Sequence, residues 1–173
     1  MQVAVIGGGV AGLSLALNLH RLGIAAHVYE SAPEVKELGV GITLLPHAMR
    51  EFMLLGIDAA LMRAGIETTD SAFYNRFGQL IYKEPRGRFG GNPYPEVAIH
   101  RGRLHMALFA AARARLGPER VLTNRACLGV EQDDGGVTVR LRETTSGRTV
   151  DPLVEQGITL GKRYYEAKYG KAT

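Results

Sequence analysis

The run Gly7-Gly8-Gly9-Val10-Ala11-Gly12 constrains this chain more than any other feature, because of what stands on either side of it. Before it, Val3-Ala-Val-Ile6 is a short apolar run of the kind that forms a parallel strand buried on both faces. After it, Leu13, Leu15, Ala16, Leu17, Leu19 and Leu22 recur with helical spacing, and Gly23 stands where a left-handed cap closes a helix. Ile24 to Tyr29 reads as a second strand, ending on Glu30. Strand, helix and strand in succession make a βαβ unit, right-handed and with parallel strands. The fold class is therefore α/β, with a Rossmann-like core. Composition agrees: 46% hydrophobic and 22% charged residues describe a globular chain, and 173 residues suit one domain with a short appendage.

Each position of the glycine run has a physical task in a dinucleotide site. Gly7 permits the tight turn from strand to helix. Gly9 carries no side chain, so a pyrophosphate can approach the backbone. Gly12 lets the helix pack closely on the strand. Val10 and Ala11 open the helix, and its first N–H groups lack intrahelical partners and sit at the positive end of the dipole. Glu30, at the end of the second strand, can accept hydrogen bonds from an adenosine ribose, each worth about 1.5–3 kcal/mol. A carboxylate there also repels a 2′-phosphate, which leaves FAD or NAD as the resident dinucleotide and disfavours NADP.

The rest of the chain follows from local signals. Gly39-Val-Gly41 is a glycine hinge, and Ile42 to Leu45 is extended. Pro46 suits the first turn of a helix over His47–Leu55, stopped at Gly56, and Ile57–Arg63 reads as another short helix. Residues 72–82 read as a hairpin turning at Gly78-Gln79, and 85–95 as a proline- and glycine-rich loop. Arg101–Leu116 is a helix ended by Gly117-Pro118, and Val121–Val150 alternates as a β-meander with a turn at Asp133-Asp-Gly-Gly136. Residues 1–150 are thus expected to form the nucleotide-binding domain, and 151–173 an unassigned tail in which Tyr165 and Tyr169 could dock a short helix.

Charge and cysteine usage narrow the function classes. The net charge is +4, yet residues 1–75 hold four Lys/Arg against seven Asp/Glu, and residues 76–125 hold ten against three. That basic middle lacks the interleaved aromatics of a single-strand binder and the Cys/His spacing of a zinc finger, so no nucleic-acid partner is expected. A small anionic ligand fits it better. The five histidines are scattered, and no metal site is expected. There is no phosphate-loop lysine motif, and Ala16 breaks a G-x-S-x-G reading of Gly12-Leu-Ser-Leu-Ala16. No apolar run reaches the roughly 18 residues of a membrane span, and Met1-Gln2 leads directly into the first strand without the pattern of a signal peptide. The lone Cys127 reads as core filler and suits a reducing, cytoplasmic setting.

Several motifs in order give a resemblance to a known family. The glycine run with Glu30, then Leu38-Gly-Val-Gly-Ile42 with Leu45-Pro46, then Ile99-His-Arg-Gly-Arg-Leu104, resemble the FAD-dependent aromatic hydroxylases of the para-hydroxybenzoate hydroxylase type. Glu84-Pro-Arg-Gly87, Gly91-Asn-Pro-Tyr94 and Ile99-His-Arg-Gly102 look most like the branch that hydroxylates phenazine-carboxylate pigments. The resemblance covers residues 1 to about 150. It implies that Gly7, Gly9, Gly12 and Glu30 hold the ADP half of FAD, and that Arg101 reaches the pyrophosphate and ribityl region. It further implies that Gly41 lies near the flavin, Leu128 near the adenine, and the 72–82 hairpin in the substrate-facing layer. A cation at a helix start opposes the dipole, which favours a functional reason for Arg101.

Asp134-Gly135 is a poor match to the family's later Asp-Gly segment, its Gly-Asp motif and most of its substrate domain have no counterpart, and nothing after Val150 matches. The expectation is therefore an FAD-binding portion of an aromatic monooxygenase. It would use NADH or NADPH as transient hydride donor and a small aromatic substrate, and would show little coupled hydroxylation by itself. Two alternatives stay open on the residues: an NAD-dependent dehydrogenase or reductase, and a non-catalytic dinucleotide-binding module.

Overall fold

A computed structural model describes residues 2–133 and 136–155, with side chains through residue 149. In chain order the elements begin with β1 (Gln2–Ile6), α1 (Val10–Arg21), β2 (Ala25–Tyr29), β3 (Gly41–Leu44), α2 (Pro46–Leu54) and α3 (Asp58–Ala64). They continue with β4 (Ile66–Glu67), β5 (Asp70–Tyr74), β6 (Leu80–Pro85), β7 (Val97–His100) and α4 (Arg101–Leu116). Last come β8 (Val121–Leu122), β9 (Arg125–Asp133), β10 (Gly136–Glu143) and β11 (Thr149–Glu155). The described residues divide into two compact units, one that runs to Val35 and resumes at Ala112, the other Lys36–Ala111.

The first unit holds the expected βαβ motif. β1 and β2 pair in parallel, from Gln2 opposite Ala25 to Ile6 opposite Tyr29, and α1 makes the crossover. Leu13, Ala16 and Leu17 are the buried positions of α1, which is the i, i+3, i+4 stripe that an amphipathic helix presents to a sheet. β8 adds a third parallel strand beside β2, with Val28 opposite Val121 and Tyr29 opposite Leu122. β9, β10 and β11 form a separate antiparallel sheet in the order β11-β10-β9. Alternation along β10 buries Val137, Val139 and Leu141, which cluster with Tyr29, while Ala4, Leu122 and Cys127 pack against them. Cys127 is core filler, as its apolar neighbourhood implied.

The second unit is built on the antiparallel sheet β3-β7-β4, with Gly41 opposite His100, Leu44 opposite Val97 and Glu67 also opposite Val97. Met49 and Phe52 of α2, Leu61 of α3 and Leu104 and Leu108 of α4 are buried, as are Val97 and Ile99 of β7. β5 and β6 pair as a hairpin with Phe73 opposite Tyr82.

The differences from the sequence reading have physical causes. β1 is not buried on both faces: Val5 is buried but Ile6 is 46% exposed, and β1 is the edge strand of its sheet among the described residues. Val121-Leu122 leaves the meander to join the parallel sheet, so the meander starts at Arg125. β11 runs on past Val150 to Glu155. The four-residue β7 and two-residue β4 are too short for periodicity to reveal, and the 85–95 loop contains a 3-10 turn at Gly87–Gly90. Asp134, Gly135, Tyr165 and Tyr169 lie outside the described residues. No helix among the described residues is long and apolar enough to cross a membrane.

Candidate functional site

The glycine turn is fixed by its own backbone. Gly7 has φ +102°, a value that disfavours any side chain, and its N–H donates to the Tyr29 carbonyl at 2.8 Å, extending the parallel ladder by one bond. Gly9 is the N-cap of α1 in extended conformation, and its carbonyl accepts the first helical bond, from Leu13 N–H at 2.9 Å. A Cβ built on Gly9 would meet nothing within 4 Å, so the space in front of the turn is open. A Cβ built on Gly12 would run into the Gly7 carbonyl oxygen and lie 3.2 Å from Val5 Cγ1. The two glycines thus serve opposite purposes: one keeps space clear, the other removes bulk between helix and strand.

α1 carries no side-chain cap and no acidic residue in its first turn, while His20 and Arg21 sit in its last. Its N-terminus therefore presents N–H groups and uncompensated positive dipole toward the open side of Gly9, through Val10 and Ala11. That arrangement suits an anion such as a pyrophosphate.

Glu30 stands beside the turn and is tightly oriented. Its Oε2 accepts the Gly8 N–H at 2.7 Å, and its Oε1 accepts the Ala32 N–H at 2.7 Å and the Ser31 hydroxyl at 3.1 Å. A Cβ on Gly8 would lie 2.8 Å from Glu30 Cβ, so the second glycine of the run is needed for this contact. The backbone of Glu30 is held too, donating to Leu122 O and accepting from Arg125 N–H, both at 2.8 Å. Asn124, the non-glycine residue with positive φ among those described, accepts at its carboxamide oxygen from Thr145 N–H at 2.9 Å, and Thr144 Oγ1 donates to Ser31 O at 2.7 Å. Gly8, Ser31, Ala32 and Asn124 were not singled out from sequence. The triple glycine hinted at Gly8; Ser31 and Ala32 directly follow Glu30, while Asn124 reaches the site through its long-range bond to Ala32 O.

Leu128 belongs to the same unit. Between Arg140 opposite Gly129 and Leu141 opposite Cys127 the register of β9 and β10 shifts, leaving Leu128 as the extra residue of a β-bulge, 49% exposed. Bulges re-aim side chains in this way.

Gly41 and Arg101 belong to the second unit. Gly41 is exposed, and a Cβ there would meet nothing within 4 Å. Arg101 opens α4 next to it: its N–H donates to Val40 O at 3.0 Å, and its side chain packs by Gly39, where a Cβ would lie 3.2 Å from Arg101 Cβ. The Arg101 guanidinium has no hydrogen bond or ion pair among the described residues. Arg86, Arg88 and Arg103 of the same unit are all paired, with Glu96 and Glu84, with Glu67, and with Glu37. The Arg88 guanidinium, by hydrogen bonding, holds the Glu67 carboxyl below the usual carboxylate range.

Comparison with known proteins gives consistent matches. Residues 1–152 match the family model described as the FAD binding domain. The chain is 40% identical over 147 residues to phenazine 1,6-dicarboxylic acid hydroxylase PhzS of Lysobacter antibioticus, a match covering 84% of this chain and 36% of that protein. It is 39% identical over 145 residues to 3-hydroxybenzoate 6-hydroxylase of Polaromonas naphthalenivorans, covering 80% and 35%. Among solved structures, 2-methyl-3-hydroxypyridine-5-carboxylic acid oxygenase matches with a TM-score of 0.66 at 26% identity, over 87% of this chain and 37% of that one. The flavin-dependent monooxygenase PieE, solved with FAD and substrate, shares the fold with a TM-score of 0.75 at 21% identity, over 90% and 29%. The chain spans little more than a third of the length of the relatives it matches.

Proposed function

The chain belongs to the FAD-binding domain family, and from that premise we propose that it is the FAD-binding portion of a flavin-dependent aromatic-ring monooxygenase. The observation that carries this reading is the open space at Gly9, facing the uncapped N-terminus of α1 and flanked by an oriented Glu30 carboxylate. An adenine dinucleotide has a pyrophosphate for the first and ribose hydroxyls for the second, so the residues fit the cofactor.

In this reading the N–H groups of Gly9, Val10, Ala11 and Gly12 hold the pyrophosphate, and Glu30 accepts from the adenosine ribose. Leu128, turned outward at its bulge, offers an apolar surface to the adenine. Arg101 supplies an unshared guanidinium to the pyrophosphate and ribityl region, where bidentate pairing with phosphate is available. Gly41 leaves backbone accessible beside the ring. FAD, when bound, supplies the redox chemistry, and the protein binds and orients it.

NADH or NADPH is the proposed hydride donor, and a small aromatic molecule, phenazine-like by the 84–102 motifs, the proposed substrate. Residues 1–150 carry the flavin-binding work. With about a third of its relatives' length, the chain is expected to give little coupled hydroxylation of phenazine-1-carboxylate on its own. A reducing cytoplasm is the proposed setting, in keeping with the lone Cys127.

The absorption spectrum of the chain purified after incubation with FAD tests the reading. Retained flavin bands are expected. A colourless protein that is stabilised by NAD would support the dehydrogenase alternative instead.

A further inference from the structure

His100 ends β7 immediately before Arg101, and one of its ring nitrogens is unusually placed. Nε2 lies 3.0 Å from the Gly39 carbonyl oxygen, which can only accept, so Nε2 carries a proton. In a neutral ring Nδ1 then bears a lone pair. That atom is buried and has no hydrogen-bond partner, and a Glu37 carboxylate oxygen lies 3.7 Å from it. A lone pair facing an anion is an unfavourable pairing of two acceptors. A proton on Nδ1 reverses it, giving a donor aimed at a carboxylate. Glu37 is 51% exposed, and a small side-chain rotation brings it to the roughly 2.7–2.9 Å of a charge-assisted bond.

The same short segment is gripped at neighbouring points. Arg101 N–H donates to Val40 O at 3.0 Å, and Arg103 Nε donates to the same Glu37 oxygen at 3.2 Å. A Cβ on Gly102 would come within 2.7 Å of Glu37, so the start of α4 lies directly against that residue. Of the elements beside His100, β3 holds no titratable side chain, and the segment before it holds Lys36 and Glu37. The first turn of α4 holds Arg101 and Arg103, β4 holds Glu67, which is paired with Arg88, and α3, which packs against β7, holds Asp58 and Arg63.

We propose that His100 is a positioning residue that works in its doubly protonated form, strapping residues 37–40 between the Gly39 carbonyl and the Glu37 carboxylate and so fixing Gly41 and Arg101. The strap stands on the geometry alone; its effect on flavin rests on the functional reading above. It engages when the ring holds both protons, so acid pH tightens the strap and rising pH slackens it.

Nitrogen-15 NMR of the histidine ring in the full chain, with Glu37→Gln and His100→Gln as variants, tests both layers. At acid pH both His100 nitrogens are expected to carry protons, with Nδ1–H bonded to the Glu37 carboxylate, and Glu37→Gln, which keeps an acceptor oxygen but no charge, is expected to weaken that bond and shift its signal. A bare Nδ1 throughout, or a signal unchanged by Glu37→Gln, overturns the strap. FAD affinity of the parent is expected to fall severalfold from acid to basic pH, and this dependence to flatten in His100→Gln, whose amide keeps a donor for Gly39 but takes up no proton. Identical pH dependence in parent and variant overturns the positioning role. If neither protein binds FAD, the flavin reading fails and the NMR signal alone decides the strap.

Discussion

Glu30 Oε2 accepts the Gly8 N–H at 2.7 Å, tying the end of β2 to the middle of the glycine turn across 22 residues of chain. The carboxylate proposed to meet the ribose is therefore also a brace for the turn proposed to meet the phosphates. Glu30→Ala is expected to lose both roles. Charge-assisted bonds of this kind are worth about 1.5–3 kcal/mol, so the urea midpoint should fall together with FAD affinity. Equilibrium unfolding without FAD, followed by flavin titration, measures the two losses separately.

Gly12 and Gly9 are expected to respond in opposite ways to the same substitution. Gly12→Ala drives a methyl group into the Gly7 carbonyl, and overpacking of this kind costs about 1–3 kcal/mol. Gly9→Ala places a methyl group in open space, so stability without cofactor should be unchanged while FAD affinity drops about tenfold or more, the equivalent of about 1.4 kcal/mol. Thermal melts of the two variants with and without FAD check the contrast.

Arg101 and Arg86 form a second contrast. Arg101→Ala removes a guanidinium with no partner among the described residues, so the apo chain should melt as the parent does, while FAD binding weakens and loses salt dependence. Arg86→Ala strands Glu96, which is 4% exposed and bonded to Arg86 at 3.0 Å, and should lower stability without a direct effect on the flavin. Melting curves and titrations at two salt concentrations distinguish them.

The Glu67–Arg88 pair gives an acid-side signature. The Glu67 carboxyl titrates below its ordinary 4.5 in the fold because Arg88 hydrogen-bonds its charged form. A depressed carboxyl adds stability above the unfolded value, and that contribution is lost as pH falls through the folded value. The stability difference between parent and Glu67→Gln should therefore be largest near neutrality and shrink as pH falls below the ordinary carboxylate value. Urea midpoints across that range measure it.

Much of this was legible in sequence wherever the signal is local. The βαβ unit follows from an apolar run, a glycine turn and a helical stripe, all of which act over a few residues. α2 and α4 follow from Pro46 at a helix start and Gly117-Pro118 at a helix end. What escaped depends on distant partners. Val121-Leu122 looks like one more alternating pair until Val28 and Tyr29 claim it for the parallel sheet. The bulge that turns Leu128 outward exists only in the pairing of β9 with β10. The bond from Gly8 to Glu30, and the unsatisfied ring nitrogen of His100, arise from side-chain placement that no periodicity encodes.

Titration of FAD into the purified chain, parent against Gly9→Val, tests the central claim most directly. Saturable one-to-one binding by the parent is expected, with the affinity of Gly9→Val lower by tenfold or more and its apo stability unchanged. No FAD binding by a folded parent, or equal binding by both, would contradict the account.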